Sequence, residues 1–124
     1  MLFVSSVTGL TQVVKANVGI IYIRADGSID PPTAPIYTAD NITYTLAGNI
    51  TANLDGIVIE RDNIVMNGAG YNMTGGGNRI GITLTNRSNV TVNNMTIINF
   101  EVGIWLLSSF SGNTLSGNNA ADNG

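Results

Sequence analysis

Carboxylates are the main side chains of this sequence that could do acid–base chemistry or hold a hard cation, because the chain has no His and no Cys. A glycoside hydrolase needs two carboxyl groups that flank one bond, and a calcium site needs several oxygen ligands close together. The eight acids are spread along the chain: Asp26, Asp30, Asp40, Asp55, Glu60, Asp62, Glu101 and Asp122. This spacing predicts no catalytic residue pair.

The tightest group of charges is the run Glu60-Arg61-Asp62. About 25 residues later the corresponding run is Thr85-Asn86-Arg87, so the acids are not repeated. We interpret the first run as a solvated turn rather than a catalytic site. We expect Asp62 and Arg87 to form a surface ion pair, which contributes about 0 to 1 kcal/mol.

Two candidate metal sites have simpler interpretations. The run from Asp26 to Asp30 resembles the start of a calcium loop but lacks the later acids of such a loop. A tight turn before Pro31 explains the run more simply. Asp26 and Asp30 are kept as a weak calcium candidate. Soft copper sites use Met, Cys and His. Met66 falls on an inward position of the pattern described below, which favours core packing. No metal site and no cofactor is expected.

Aromatic and aliphatic residues near the end of the chain form a candidate contact surface. Trp105 is the sole Trp, Leu107 shares its face, and Phe110 lies in the following turn. Aromatic rings stack on sugar rings or bury protein partners. The alternative is that Trp105 packs under a neighbouring turn.

Six Asn-x-Ser/Thr sequons are glycosylation candidates, although the high Asn, Thr and Ser content would generate several by chance. We expect one or two of them to be usable in an organism that glycosylates exported proteins. Their asparagines are Asn41, Asn49, Asn72, Asn86, Asn89 and Asn94.

Composition limits the partners. Only 10% of the residues are charged, against about 25% in typical domains. The net charge is -3 and the five cations form no basic stripe, which argues against nucleic acid as a partner.

The apolar run of residues 1–16 is too short to span a bilayer and ends in Val14-Lys15-Ala16. It therefore predicts a signal-peptide remnant or an ordinary first strand.

An internal repeat organises the chain from Asp55 onward. The segment Asp55–Ile59 recurs as Ile80–Leu84 and again as Val102–Leu106, with Gly-Ile pairs 25 and 22 residues apart. A second segment, Ile64–Asn67, recurs twice at spacings of 26 and 23 residues. Strands that recur in register at this spacing, joined by Asn, Gly and Ser turns, predict a solenoid of about four visible coils, the last incomplete.

Alternation within each repeat predicts which side chains face inward. Val58, Thr83 and Trp105 face solvent, whereas the flanking apolar residues stack as interior ladders one strand spacing apart. Asn at the corners tolerates the left-handed conformation, and Asn67 is expected above Asn93 as an amide pair. The interior ladders are Ile57, Ile82 and Ile104, and Ile59, Leu84 and Leu106.

The segments 21–36, 55–64 and 67–71 together resemble the start of NosD-like right-handed parallel β-helix proteins, in the pectin-lyase-like superfamily. The resemblance covers about residues 19–124. Over this range the chain is similar to archaeal secreted and surface proteins. It implies an all-β, single-stranded, right-handed parallel β-helix. It is weak for function, because NosD is linked to copper delivery whereas most relatives have no assigned activity.

The sequence therefore predicts residues 1–18 as a signal-peptide remnant or first strand, residues 19–54 as an N-terminal cap with the first coil, and residues 55–124 as repeat coils. No cap follows the last coil in the sequence, so we expect the chain to be a piece of a longer β-helix. Its last coil should fray from about Asn113, or associate end to end with another copy.

Three functions are compatible with this pattern. The first is a non-catalytic secreted or cell-surface module, structural or carbohydrate-interacting, with polysaccharide or cell-envelope partners. The second is the N-terminal part of a polysaccharide lyase or hydrolase with its active site in later coils. The third is a copper-related periplasmic protein.

Overall fold

The computed structural model describes residues 17–108 and 111–124, which form strands and turns. These residues contain no helix, and hence none that is long and apolar enough to cross a membrane. The strands, numbered in chain order, are β1 (Asn17–Val18), β2 (Ile21–Ile23), β3 (Ile29–Asp30), β4 (Ile36–Thr38), β5 (Thr43–Leu46), β6 (Ile50–Ala52), β7 (Ile57–Ile59), β8 (Ile64–Asn67), β9 (Asn72–Thr74), β10 (Ile80–Thr85), β11 (Val90–Asn93), β12 (Thr96–Ile98), β13 (Val102–Leu107), β14 (Thr114–Ser116) and β15 (Asn119–Ala121).

Three sheets run along the molecule and share the same stacking direction. Sheet 1 has the order β15-β12-β9-β6-β1, sheet 2 the order β13-β10-β7-β2-β3, and sheet 3 the order β14-β11-β8-β5-β4. All neighbours are parallel except β3 on β2 and β4 on β5. Each strand thus pairs with its counterpart one coil away, which makes the fold a parallel β-solenoid.

The register confirms the repeat read from the sequence. Ile82 lies between Ile57 and Ile104, and the second repeated segment stacks in the same way in sheet 3. Sheet 1 adds a ladder that the sequence did not reveal, Ile50 beside Met73 beside Ile97. The regular part comprises about three turns, and sheets 2 and 3 each contain four parallel strands.

The core lies inside the coils and consists of apolar side chains. Ile21, Ile57, Ile82, Met73 and Val92 are fully buried, and no buried polar or charged residue occurs among those the structure describes. Met66 is also fully buried, in agreement with its predicted inward position. Apolar burial of about 1.5 to 3 kcal/mol per large side chain is the main stabilising term.

The repeated glycine has a steric cause. Gly56, Gly81 and Gly103 stack where the chain enters sheet 2, and the backbones of Gly56 and Gly81 each pass close to the glycine one coil later. A Cβ on Gly81 would overlap the Gly103 carbonyl oxygen and lie 2.7 Å from the Ile97 Cγ2. Only glycine fits at Gly56 and Gly81, whereas a Cβ on Gly103 would meet the Asn123 Nδ2, a side-chain atom, at 3.0 Å.

The N-terminal end is covered by the segment between β2 and β5. Its strands β3 and β4 run antiparallel to the solenoid strands, and its own residues Ala34 and Ile36 are buried. The Tyr44 hydroxyl donates a 2.8 Å hydrogen bond to the Gly27 carbonyl oxygen. This segment, residues 24–42, is called the N-terminal cover below.

At the opposite end, three asparagines tie the last coil to the coil before it. Asn113 Nδ2 donates to the Arg87 carbonyl oxygen at 2.8 Å, and its Oδ1 accepts from Val90 N at 2.9 Å. Asn118 and Asn123 make the same pair of bonds one and two corners later. Each side chain satisfies one carbonyl and one N–H where the ladder is interrupted at a corner. These three residues are called the bracket asparagines.

Candidate binding face

The outer face of sheet 2 brings together the exposed residues with most potential for binding. The register places Tyr22 beside Val58, Val58 beside Thr83, and Thr83 beside Trp105. Strands in a sheet lie about 4.8 Å apart, so this column is about 14 Å long from Tyr22 to Trp105. It has an aromatic ring at each end.

Trp105 is the most accessible ring of this column. It is 38% exposed, and Leu107, two residues further along the same strand, is 48% exposed. Both therefore face solvent on one side of the sheet, as alternation predicted. Phe110, the third residue predicted for this surface, lies outside the described residues.

A polar strip flanks the aromatic column at its Tyr22 end. The Arg24 guanidinium lies 3.9 Å from the centre of the Tyr22 ring and pairs with the carboxylates of Asp30 and Glu60. The hydrogen bond to Asp30, followed by that to Glu60, raises the pKa of Arg24 above its ordinary value. Because Arg24 covers the Tyr22 ring, Trp105 supplies the open aromatic surface.

The run Glu60-Arg61-Asp62 links neighbouring segments through hydrogen bonds and an ion pair at the adjacent corner. Arg61 donates to the carbonyl oxygens of Ala25 at 2.7 Å and Asn41 at 3.2 Å, which holds the N-terminal cover against the first regular coil. Arg87 donates to the Glu60 carbonyl oxygen at 2.8 Å. It also pairs with Asp62 at 3.4 Å, which confirms the predicted ion pair.

The calcium candidates Asp26 and Asp30 have separate partners. Asp26 Oδ1 accepts from the backbone N and the hydroxyl of Ser28 at 2.9 and 2.7 Å, which closes a turn and lowers the pKa of that carboxyl. Asp30 pairs with Arg24. No group of three or more His, Cys, Asp or Glu suited to a metal ion occurs within residues 17–108 and 111–124.

The methionines that the copper hypothesis would need lie in the core. Met66 and Met73 are 0% exposed and Met95 is 1% exposed, while Met1 lies outside the described residues. Their thioethers pack against apolar neighbours, which is the role that flexible Met side chains commonly take.

Four of the six sequon asparagines adopt the positive φ of a corner. Asn86, Asn89 and Asn94 have φ values of 56°, 56° and 53°, and Asn41 has 56°. After Asn89 and after Asn94, the next residue points inward and the following Thr points outward. A corner Asn followed by an alternating strand therefore accounts for the Asn-x-Thr pattern without any glycosylation. All six sequon asparagines are exposed.

Two of the sequon asparagines, Asn89 and Asn94, also donate side-chain hydrogen bonds to the preceding coil. The Nδ2 of Asn89 donates to Asn63 Oδ1 at 2.9 Å, and that of Asn94 donates to Asn67 Oδ1 at 3.4 Å. Glycosylation replaces one of the two Nδ2 hydrogens, so at these two sites the other hydrogen would have to keep the bond to the preceding coil.

The predicted amide pair of Asn67 and Asn93 is only half right. The two residues stand in register in neighbouring strands. The amide that reaches Asn67 is, however, that of Asn94, and Asn93 Oδ1 is buried without a hydrogen-bond partner. The reason is that Asn94 turns the corner with a positive φ, which carries its side chain back over the preceding coil.

Sequence reasoning missed Tyr22 as the other end of the aromatic column. The signal was present, because Ile21-Tyr22-Ile23 alternates as Ile57-Val58-Ile59 does. The 36-residue separation hid it, since the N-terminal cover is inserted between these two rungs.

Comparison of the chain with protein-family models, curated proteins and solved structures finds no match, so the parallel β-solenoid and the geometry of its faces are the basis for inferring function.

Proposed function

We propose that this chain is a non-catalytic, secreted or cell-surface β-helix module of the NosD-like kind, which binds polysaccharide along the outer face of sheet 2. The observation that carries the proposal is the exposed Trp105 ring at one end of a column that ends in Tyr22. Aromatic faces contact the apolar side of sugar rings, and nearby polar groups orient the hydroxyls.

The groups beside the column suit this ligand. Thr83 lies within the column, Thr85 stands beside Leu107, and Arg24 and Glu60 lie at the Tyr22 end. Hydroxyl, carboxylate and guanidinium groups supply both acceptors and donors to sugar hydroxyls. A polysaccharide that follows the solenoid axis would contact several coils at once.

A non-catalytic role is supported by what the described acids already do. Asp30 and Glu60 neutralise Arg24, and Asp62 pairs with Arg87. Asp40 accepts hydrogen bonds from the backbone of Ile42 and Thr43. These carboxylates hold the cover and corners together, which leaves them poorly placed to act as an acid and base on a substrate.

Binding can be tested through the sole Trp. The fluorescence of Trp105 should change and saturate on titration with at least one of soluble pectate, alginate or xyloglucan. By calorimetry with the same polysaccharide, Trp105→Ala should bind about 5- to 150-fold more weakly, if a sugar ring on Trp105 contributes the 1 to 3 kcal/mol, roughly, that a nucleobase contributes when it stacks on an aromatic side chain.

Tyr71→Ala is the matched control, because Tyr71 is 39% exposed but precedes a strand of sheet 1. It should bind as the unmodified chain does. Equal loss of binding in both variants, or no binding to any of the three polysaccharides, would contradict the proposal.

A further inference from the structure

A groove lies at the corner between sheets 2 and 3, next to the candidate binding face. Its volume is about 480 Å³, which is within the range of about 300 to 1,000 Å³ that is common for ligand sites. Four of the side chains that line it are charged, namely Glu60, Arg61, Asp62 and Arg87. Below, it is called the corner groove.

The corner groove is continuous with the candidate binding face. Side chains alternate along a strand, so Glu60 faces the same side as Val58 of the aromatic column, two residues or about 6.6 Å further along. Glu60 also lines the corner groove. A polysaccharide main chain on the column can therefore place a side branch in the corner groove.

The charges of the corner groove cancel. Arg61 and Arg87 contribute two positive charges, and Glu60 and Asp62 contribute two negative charges. A charged ligand of either sign would meet as many repelling as attracting groups. The lining therefore favours an uncharged ligand over a uronate or a cation.

The polar atoms of the corner groove are held in place and still have bonding capacity. Arg61 donates through Nε and Nη1 to two backbone carbonyl oxygens at 3.2 and 2.7 Å, and Arg87 does the same at 3.1 and 2.8 Å. Asp62 Oδ1 accepts from Ser88 N at 3.1 Å and lies 3.4 Å from Arg87 Nη1.

Three polar groups of these side chains have no partner. Within residues 17–108 and 111–124, no hydrogen bond or ion pair involves the Nη2 groups of Arg61 and Arg87 or the Oδ2 of Asp62. The Nη2 groups are donors and the carboxylate oxygen is an acceptor. Neighbouring hydroxyls of a sugar can accept from the first and donate to the second.

An apolar side completes the corner groove. Ile42 is 51% exposed and lines it together with Ala25. The backbone of Ile42 is fixed, because its N donates to Asp40 Oδ1 at 2.9 Å and its carbonyl oxygen accepts from Val65 N at 2.8 Å. Sites for small ligands combine apolar surface with a few placed polar groups. The C–H side of a sugar ring fits the apolar part.

We propose that the corner groove binds an uncharged sugar branch of a polysaccharide whose main chain lies on the candidate binding face. The branch hydroxyls accept from the Nη2 groups of Arg61 and Arg87 and donate to Asp62 Oδ2, while the C–H groups pack on Ile42. This inference rests on the proposed function and narrows its ligand to polysaccharides with neutral branches.

Calorimetry with two pairs of oligosaccharides tests the branch. One pair is a xyloglucan oligosaccharide and its unbranched cello-oligosaccharide backbone, and the other is a galactomannan oligosaccharide and its unbranched manno-oligosaccharide backbone. In at least one pair the branched member should bind at least about tenfold more tightly, because one hydrogen bond to a charged group contributes about that factor to an affinity. Equal affinities within both pairs would overturn the proposal.

Asp62→Asn tests the site of the branch. The amide keeps an acceptor oxygen for Ser88 N but presents a donor in place of Oδ2, so the preference for the branched member should disappear while the unbranched member binds as before. Asp55→Asn is the matched control, because Asp55 Oδ1 accepts from Ile80 N at 3.0 Å outside the corner groove. It should keep the preference, and equal losses in the two variants would count against the groove.

Nuclear magnetic resonance on the unmodified chain covers the case in which Asp62→Asn does not fold. Nuclear Overhauser effects should connect the Ile42 methyl groups with protons of the branch sugar. Effects that reach only main-chain sugars would show that the branch lies elsewhere and overturn the proposal.

The outcomes separate this inference from the proposed function. Binding that depends on Trp105 but shows no preference for branches, or that is confined to pectate or alginate, would overturn the branch site and leave polysaccharide binding on sheet 2 standing. No binding of any oligosaccharide or polysaccharide would overturn both.

Discussion

Asparagine serves two structural purposes at the scale of single residues. Asn63, Asn86 and Asn99 adopt positive φ at corners, where a left-handed residue lets the backbone turn sharply. The bracket asparagines instead use their side chains, each of which bonds to one carbonyl and one N–H of the preceding coil. The same residue type thus supplies a backbone shape in one set of positions and hydrogen bonds in the other.

Removing one bracket should loosen the last coil. Asn118→Ala eliminates the 2.8 Å bond to the Val92 carbonyl oxygen and the 3.0 Å bond from Met95 N, and should cost about 1 to 3 kcal/mol because two backbone groups lose their partner. Hydrogen exchange should accelerate at Met95 and in β15. Asn119→Ala, at an exposed neighbouring position, should leave both rates unchanged. Similar acceleration in the two variants would mean that the bracket bonds do not hold the coil.

The assigned facing of β10 makes a second residue-level prediction. Ile82 is 0% exposed between Ile57 and Ile104, so Ile82→Ala should lower the free energy of unfolding by about 2 to 5 kcal/mol. Thr83→Ala, on the outer face, should cost far less. Chemical denaturation of both variants measures the two losses in the free energy of unfolding. Equal losses would mean that the assigned facing of β10 is wrong.

At the scale of elements, a carboxylate of its own helps to hold the N-terminal cover in place. Asp40 Oδ1 accepts from the backbone N of Thr43 and Ile42, both at 2.9 Å, and these bonds hold the pKa of the carboxyl below its ordinary value of 3.8. A carboxyl with a lowered folded-state pKa stabilises the fold fully above its unfolded pKa. That stabilisation is lost as the pH falls through the folded value.

We therefore expect the hydrogen-exchange protection of the cover, relative to the intrinsic exchange rate at each pH, to fall as the pH drops below about 4, the ordinary range of Asp. Asp40→Asn keeps an acceptor oxygen but cannot titrate, so its cover should respond less to acid. Asp122→Asn removes a carboxylate at the opposite end and should retain the full acid response of the cover. An unchanged response in Asp40→Asn would show that other groups control this segment.

On the scale of the whole molecule, the solenoid places the candidate binding face along its side. This face follows the axis on sheet 2, from Tyr22 through Val58 and Thr83 to Trp105. A ligand that lies along it would contact several coils at once.

The engaged carboxylates lead to a prediction about the intact chain. It should release no reducing ends and no unsaturated products from pectate, alginate or mixed neutral glycans over extended incubation. Glu60→Gln provides the check, because Glu60 pairs with Arg24 beside the binding face. Turnover that disappears in Glu60→Gln would establish a catalytic role and contradict the non-catalytic proposal.

The sequence by itself determined the solenoid, its period and the facing of sheets 2 and 3. In a coil that stacks on itself, equivalent residues recur at a fixed spacing, so the Gly-Ile pairs and the alternation around Ile82 encode both register and burial. It also predicted the Asp62 and Arg87 pair, because both residues occupy one corner in successive coils. These features repeat, and repetition makes them visible in one sequence.

Only the tertiary structure decided the antiparallel cover, the Arg24 and Arg61 contacts and the bracket asparagines. The cover occurs once, so no second copy exists in the chain to reveal its register. The bracket positions align with the buried Val90, Met95 and Phe100 of the previous coil, so their sequence pattern predicts inward packing rather than hydrogen bonding. The physical reason is that a corner side chain reaches backbone groups 23 and 26 residues earlier only after the coil has closed upon itself.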